Sequence, residues 1–262
     1  MFASYAMTLF EDVAALSKQR RAPAGAERQV WDLPVRFFHW TLVVAFVTAY
    51  VTNRLGVAYF KYHVWAGYTV IVLVAFRLVW GLVGTRHARF WNFIRGPRET
   101  LVYARDLVLS KRRKGGNGAA ESRHYAGHNP LGAIMVLALL VGLGTQATLG
   151  LFANDEIINT GPLYGYVTKS VSLIFTSVHR QLFYWLAGAV ALHVLAVIGH
   201  RVFKNENLVR AMITGRKPHH AVAAGEAITS SRVWLAVVVG LVLALALAYV
   251  VGHAPLVDSA EF

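Results

Sequence analysis

The sequence contains no cysteine, and that absence excludes several kinds of redox and structural chemistry. Without thiols the chain cannot form disulfides, bind a metal through thiolates, ligate an iron–sulfur cluster or attach a c-type haem covalently. Any metal ligation therefore falls to its eleven histidines and to the carboxylates.

Charged residues are scarce, and acidic ones especially so. They make up 15% of the chain, against roughly 25% in soluble domains. Basic residues outnumber acidic ones by 26 to 13, which gives a formal net charge of +13. This excess would suit a nucleic-acid-binding protein, but it lies between long apolar blocks, where membrane topology requires it. We therefore expect a protein of the lipid bilayer that binds no nucleic acid.

Five apolar blocks are long enough to cross a bilayer as helices, or nearly so. A transmembrane helix needs roughly 20 mainly apolar residues, and the blocks show none of the alternation of barrel strands. They run approximately over residues 37–51, 64–83, 131–152, 182–199 and 233–251. The predicted fold class is an all-α membrane protein, with a four-helix transmembrane bundle and a fifth, C-terminal transmembrane helix.

The uneven distribution of lysine and arginine predicts the orientation of these helices. Bases are dense before the first block, in residues 86–123 (which include KRRKGGNG at 111–118) and between the fourth and fifth blocks. The other loops hold little beyond Arg54, Lys61 and Lys169. By the positive-inside rule the N-terminus is cytoplasmic and the C-terminus lies outside.

Two shorter segments outside the apolar blocks also carry structural predictions. Residues Met1–Leu16 are either a short amphipathic helix or a frayed tail, and their position before the first bases is the wrong order for an export signal. A short interfacial helix is expected around Leu163–Ile174 in the loop that follows the third block.

Four histidines lie in or at the mouths of the blocks, where ionisable side chains indicate function. His39 lies in the first block, His63 at the start of the second, and His179 and His193 fourteen residues apart on the fourth. Fourteen residues span about 21 Å of helix and fall about 40° short of four turns, so both imidazoles point to nearly the same side. Depth then pairs His39 with His193 and His63 with His179. Two such pairs predict a bundle that holds two bis-histidine haems.

Other interpretations of the histidines remain open. Any one of the four could be a hydrogen-bonded packing residue, and His200, seven residues after His193, competes with it. The remaining histidines fall in loops or in the tail, and most are expected in solvent: His87, His124, His128, His219, His220 and His253.

Four further residues are candidate parts of the haem sites. Gly67 follows His63 by one turn, where a side chain would crowd a ring, and Gly188 lies between the two histidines of the fourth block. Arg77 lies fourteen residues after His63 and Arg36 just before His39, and either could pair with haem propionates. Close helix packing is the alternative for the glycines, and contact with lipid headgroups is the alternative for the arginines.

The ordered motifs resemble one family over roughly residues 30–217. The motifs are VWDLPVRFFHW at 30–40, HVWAGYTVIVLVAFRLVWG at 63–81, GHNPLGAIMVLALL at 127–140 and HRQLFYWLAGAVALHV at 179–194. They are similar to the bacterial di-haem b-type cytochromes: the cytochrome b subunits of nickel–iron hydrogenases and formate dehydrogenases, and the prokaryotic cytochrome b561 group. This divides the chain into a cytoplasmic segment (1–29), a di-haem cytochrome b domain (30–217), and a linker with an extra helix (218–262) that the short family members lack.

The resemblance implies an electron-transfer subunit with two haems b. Its four axial ligands fall on His39, His63, His179 and His193, with the pairing given above. It also implies exchange with the quinone pool near the cytoplasmic haem, and a periplasmic redox partner such as a hydrogenase, a dehydrogenase or a c-type cytochrome. Two alternatives stay open: a standalone quinone-reducing oxidase of a small donor such as superoxide, and a histidine-based transporter or sensor. The apolar blocks contain no Asp or Glu, which disfavours the last.

Overall fold

The computed structural model describes residues 26–110 and 125–255. Five helices in these ranges are long and apolar enough to cross a membrane, which confirms the predicted all-α membrane fold class. The helices are α1 (Leu33–Arg54), α2 (Phe60–Val83), α3 (Phe90–Phe93), α4 (Pro97–Ser110), α5 (Pro130–Leu151), α6 (Lys169–Phe203), α7 (Leu208–Thr214) and α8 (Val233–Gly252). The five candidate spans are α1, α2, α5, α6 and α8. The segments 1–16 and 111–118, singled out in the sequence, lie outside the described residues.

Side-chain caps set where three of the spans begin. Asp32 and Asn129 accept hydrogen bonds from Val35 N and Gly132 N, and in each case a proline stands within the first helical turn. Thr168 caps α6 in the same way. The 35 residues of α6 are about 52 Å long, more than a bilayer core requires.

The predicted interfacial helix around Leu163–Ile174 is wrong. The chain forms only a 3₁₀ turn at Tyr164–Tyr166, and α6 begins at Lys169 and continues without a break into the span. A single helix satisfies every backbone group through this region, so its polar first turns extend the transmembrane helix beyond the bilayer core instead of forming a separate element.

The spans pack in a simple order that leaves a cleft. Helix α1 packs against α2, α2 against α5 and α8, and α5 against α6. Between α1 and α6 the direct contacts are aromatic: Phe183 stacks on Phe46 at 6.2 Å and on Tyr50 at 5.4 Å, measured between ring centres. These rings join the two helices nearer to His179 than to His193, because Phe183 follows His179 by four residues on α6.

The two ends of the bundle differ in charge and in structure. The basic end contains the start of α1 and the ends of α2 and α6; the opposite end contains the turns that join α1 to α2 and α5 to α6. At the basic end β1 (Glu27–Gln29) pairs antiparallel with β2 (Arg216–Pro218). The segment after β2 folds back over the bundle, where Arg28 donates to the Val222 carbonyl and Arg86 to the Gly225 carbonyl.

Asp32 joins the start of α1 to the end of α2. Its carboxylate is only 1% exposed. It accepts hydrogen bonds from Val35 N at 2.7 Å, from Trp80 Nε1 at 3.1 Å and from the Thr85 hydroxyl. A buried donor that loses its acceptor is destabilised by its full desolvation cost. Because donors from both helices bond to this one carboxylate, it fixes the relative position of the two helices.

Replacing Asp32 with alanine is therefore expected to destabilise the bundle by about 3 kcal/mol, the sum of a lost helix cap and stranded donors. Thermal unfolding in detergent, followed by circular dichroism, measures the loss. Asp106→Ala is the matched control, because Asp106 is exposed on α4. Equal unfolding midpoints for the two variants would show that Asp32 has no such role.

Candidate functional site

His63 and His179 face each other across the cleft toward the opposite end. Their ring centres are 6.2 Å apart and their planes nearly perpendicular. His63 Nδ1 lies 2.8 Å from the Ala49 carbonyl oxygen, and His179 Nδ1 lies 2.8 Å from the Gln146 carbonyl oxygen. A carbonyl only accepts, so each Nδ1 carries the proton and each neutral ring keeps its Nε2 lone pair free. This is the usual arrangement of a metal-ligating histidine.

His39 and His193 face each other toward the basic end. Their ring centres are 6.4 Å apart, with the planes inclined at 54°. The His39 ring also meets the edge of Trp40. His39 Nδ1 is buried and has no hydrogen-bond partner among the described residues.

The geometry of both pairs fits a porphyrin-bound iron. A metal about 2 Å from one nitrogen of each imidazole holds the ring centres roughly 6 Å apart. In the described part of the chain no group of three or more His, Cys, Asp or Glu residues could hold a metal ion. Each site thus offers two protein ligands, and the remaining positions must come from a prosthetic group, as they do in haem.

A cavity of about 530 Å³ surrounds the His63–His179 pair. Gly67 lines it, and no atom lies within 4 Å of where a Cβ at this position would be. Gly150 lines it too, and a Cβ there would come within 2.9 Å of His179 Cε1. Arg54, Arg180 and Asp155 also line it, so the two arginines outnumber the one carboxylate.

Gly188 does not share the position of Gly67. It lies nine residues after His179 on α6, which places it about 180° around the helix from that histidine. It is exposed, and no atom lies within 4 Å of a Cβ built there. Leu186 instead occupies the histidine side of α6, where it is buried against Gly142. Gly188 therefore does not face the His63–His179 pair, and its place in a haem site stays a prediction.

The two candidate arginines have different surroundings. Arg77 is only 2% exposed, with its guanidinium 5.0 Å from the ring centre of Phe90 and 5.8 Å from that of Phe93, and its Nη1 lacks a partner among the described residues. It does not reach the headgroups. Arg36 donates through Nη1 to the Ile213 carbonyl, while its Nε is buried without a partner in the same part of the chain.

The His200 ring is paired with a carboxylate and does not face His39. Its Nδ1 lies 2.9 Å from a carboxylate oxygen of Glu206, and this hydrogen bond is the main cause that lowers the pKa of Glu206. The pair lies where α6 ends. This leaves His193 as the histidine of α6 that faces His39.

Two histidines expected in solvent are packed inside the basic end. His87 is 7% exposed and its Nε2 lies 2.7 Å from the Glu226 carbonyl. His128 lies between the rings of Trp31 and Phe93, with centres 4.7 Å away on both sides. Burial, reinforced by the charges of Arg77 and Lys217, lowers the pKa of His128 to about 3, so the ring is neutral. The sequence carries no signal for this, because the folding-back of a loop leaves no periodic pattern.

Comparison with known proteins places this geometry in a family. The family model described as prokaryotic cytochrome b561 matches residues 30–215, well over half of the chain. The chain belongs to the prokaryotic cytochrome b561 family. All four paired histidines lie inside the matched region, and α8 lies beyond it.

The relatives of this cytochrome are hydrogenase subunits by name. It is similar to proteins named probable Ni/Fe-hydrogenase B-type cytochrome subunit from three bacteria. The one from Rhodobacter capsulatus is 26% identical over 72% of this chain and 80% of its own length. Those from Bradyrhizobium diazoefficiens and Cupriavidus necator are 24% and 25% identical, over 78% and 71% of this chain and 92% and 85% of their own lengths. No solved structure gives a significant match. The chain is thus a multi-pass membrane cytochrome b, a class that binds haem b and transfers electrons.

Proposed function

We propose that this cytochrome carries electrons between a periplasmic redox partner and the membrane quinone pool through two bis-histidine haems b. One haem is held by His63 and His179, the other by His39 and His193. The observation that carries the proposal is the presence of two separate imidazole pairs on facing helices, each with ring centres 6.2 or 6.4 Å apart. The fourteen residues between the two histidines of α6 put the pairs about 21 Å apart along the helix.

The protein residues fix and tune the sites. Haem, when bound, supplies reversible one-electron chemistry at iron. Hydrogen bonds from Nδ1 to the Ala49 and Gln146 carbonyls orient His63 and His179 and increase the basicity of their Nε2 atoms. The stacked rings of Phe46, Tyr50 and Phe183 join α1 to α6 and line the cavity around the His63–His179 pair.

The charge distribution supports an orientation with the basic end in the cytoplasm. The positive-inside rule concerns bases near the membrane, and this end holds the described arginines of residues 86–105 as well as Arg210, Arg216 and Lys217. We assign quinone exchange to this end, near His39, Arg36 and Arg77. Arg36 Nε is buried without a partner among the described residues, which supports a ligand beside it.

The opposite end then faces the periplasm and a redox partner. The relatives' names indicate a nickel–iron hydrogenase as the first partner to test. A dehydrogenase or a c-type cytochrome would meet the same requirement. The chain has no cysteine to hold an iron–sulfur cluster or a c-type haem, so the partner must supply the next electron carrier.

Stopped-flow mixing of the reconstituted protein with decylubiquinol tests the quinone step. We expect quinol to reduce both haems in the wild type, and His193→Ala to abolish that reduction while dithionite still reduces the remaining haem. Equal quinol reduction in the wild type and in His193→Ala would contradict exchange at the basic end. Failure of quinol to reduce any haem, together with failure of quinone to oxidise reduced haem, would contradict quinone exchange altogether.

A second function is favoured by the charged rim of the cavity. Arg54 and Arg180 line it and are exposed, so they attract a small anionic donor. A standalone oxidase of superoxide would use this entrance and pass electrons to quinone. It predicts rapid haem reduction by superoxide without any partner protein, slowed by salt and by the double change Arg54→Gln and Arg180→Gln. A rate of haem reduction by superoxide that changes neither with salt nor in the double variant would exclude this second function.

A further inference from the structure

The strongest unexplained feature of the basic end is a buried cation without a counter-ion. Arg77 is only 2% exposed, and its Nη1 has no hydrogen-bond partner among the described residues. Asp32 lies within electrostatic range, but no ion pair joins the two in the described part of the chain. The Asp32 carboxylate is already used by three other donors. A buried charge left unpaired is strongly destabilising, so this site calls for an anion.

A second unpartnered group lies beside it. His128 Nδ1 is buried and has no hydrogen-bond partner within residues 26–110 and 125–255. Both His128 and Arg77 pack on the ring of Phe93, at 4.7 and 5.8 Å from its centre. With the phenyl ring and Trp31 holding the imidazole on both faces, its orientation is fixed. Of these two residues the sequence offered Arg77 as a candidate, whereas it placed His128 among the histidines expected in solvent.

The charges around His128 favour an anionic ligand over a neutral one. Arg77, Lys217, His87 and His193 are the groups whose charges act on it, and none of them is acidic. Lys217 donates to the Tyr125 carbonyl at 3.2 Å, and the charge of Glu206 acts on Lys217 but not on His128. A carboxylate fits this surrounding better than a neutral quinone carbonyl, because positive potential favours the charged ligand.

We propose that Arg77 and His128 together bind a buried carboxylate, a propionate of the haem at the basic end. Arg77 supplies the charge, and the neutral imidazole of His128 donates one hydrogen bond in a fixed direction. The inference rests on the proposed haem of the His39–His193 pair. His128 is a positioning residue here: it holds the porphyrin edge and does not touch iron.

The test uses the purified holoprotein with ¹³C-labelled haem propionates and redox difference infrared spectroscopy. We expect Arg77→Gln and His128→Leu each to shift the labelled carboxylate band. Each should also lower the equilibrium constant for reduction of one haem about tenfold, which is a fall of about 59 mV in its midpoint potential for a one-electron couple. The cause is that the negative charge of the propionate is then less compensated. The second haem should keep its potential. His219→Leu is the matched control, since His219 lies at the same end and bonds only weakly to the Ala26 carbonyl, at 3.3 Å.

The outcomes separate this inference from the proposed function. Two haems per chain with a labelled band unmoved by His128→Leu would overturn the inference and leave the proposed function standing. A wild-type protein without a haem at the His39–His193 pair would overturn both. If His128→Leu fails to fold, His128→Gln keeps a donor and should retain the wild-type band, whereas His128→Phe keeps the ring packing and should shift it.

Discussion

Replacing His179 with alanine is expected to remove one haem per chain and to leave the other in place. The alanine takes away one of the two axial ligands at the His63–His179 pair, and no third ligand stands nearby among the described residues. The remaining pair, His39 and His193, lies about 21 Å along the bundle and makes no contact with this site. Haem extraction with pyridine-haemochrome quantitation should therefore give half the wild-type haem content.

The reciprocal variant and one control make this result specific. His193→Ala should also halve the haem content, but it should remove the haem with the other midpoint potential in a redox titration. His200→Ala should keep both haems, because His200 is paired with Glu206 and lies seven residues beyond His193. Loss of a haem in His200→Ala, with both haems retained in His193→Ala, would make His200 the axial partner of His39 in place of His193. Loss of all haem in each variant would show that the two sites do not fold independently.

Filling the cavity at Gly67 is expected to expel the haem from the His63–His179 pair. A leucine there would project into the 530 Å³ cavity, where nothing now lies within 4 Å of the Cβ position. The helix itself tolerates the change, because leucine is a better helix former than glycine by roughly 1 kcal/mol. The expected result is half the wild-type haem content in a folded protein, with the spectrum of the His39–His193 site unchanged.

Gly188→Leu is the matched control for this experiment. Gly188 is also a helical glycine with open space around its Cβ position, but it points to the other side of α6. It should retain both haems and the wild-type unfolding midpoint. Equal haem loss in the two variants would mean that leucine perturbs either helix in general, and full retention in both would mean that no prosthetic group occupies the cavity beside Gly67.

The sequence predicted the spans and the histidine pairing because each depends on a local pattern. Long apolar blocks specify transmembrane helices by length alone. The fourteen-residue spacing on one helix gives the direction of both side chains, and the order of the spans gives their depth, so the two together match His179 and His193 to their partners.

What the sequence could not predict depends on contacts between distant segments. His128 and His87 are packed inside because residues 216–231 fold back over the basic end, a tertiary arrangement with no periodic signal. Nothing in the sequence shows that Trp80 and Thr85 share the carboxylate of Asp32. The sequence predicted a separate interfacial helix around Leu163–Ile174 and a span from about residue 182, because composition does not show whether polar turns of helix continue into an apolar span.

The most direct test of the central claim is a haem count with paired spectra on the purified wild-type protein. Oxidised and dithionite-reduced spectra, taken with pyridine-haemochrome quantitation, report the number of haems and their ligation together. We expect two b-type haems per chain, a sharp reduced α-band and no spectral shift on adding carbon monoxide, because both axial positions of each iron are filled. A colourless protein from haem-replete cells, or a single haem per chain that binds carbon monoxide, would contradict the two-haem proposal.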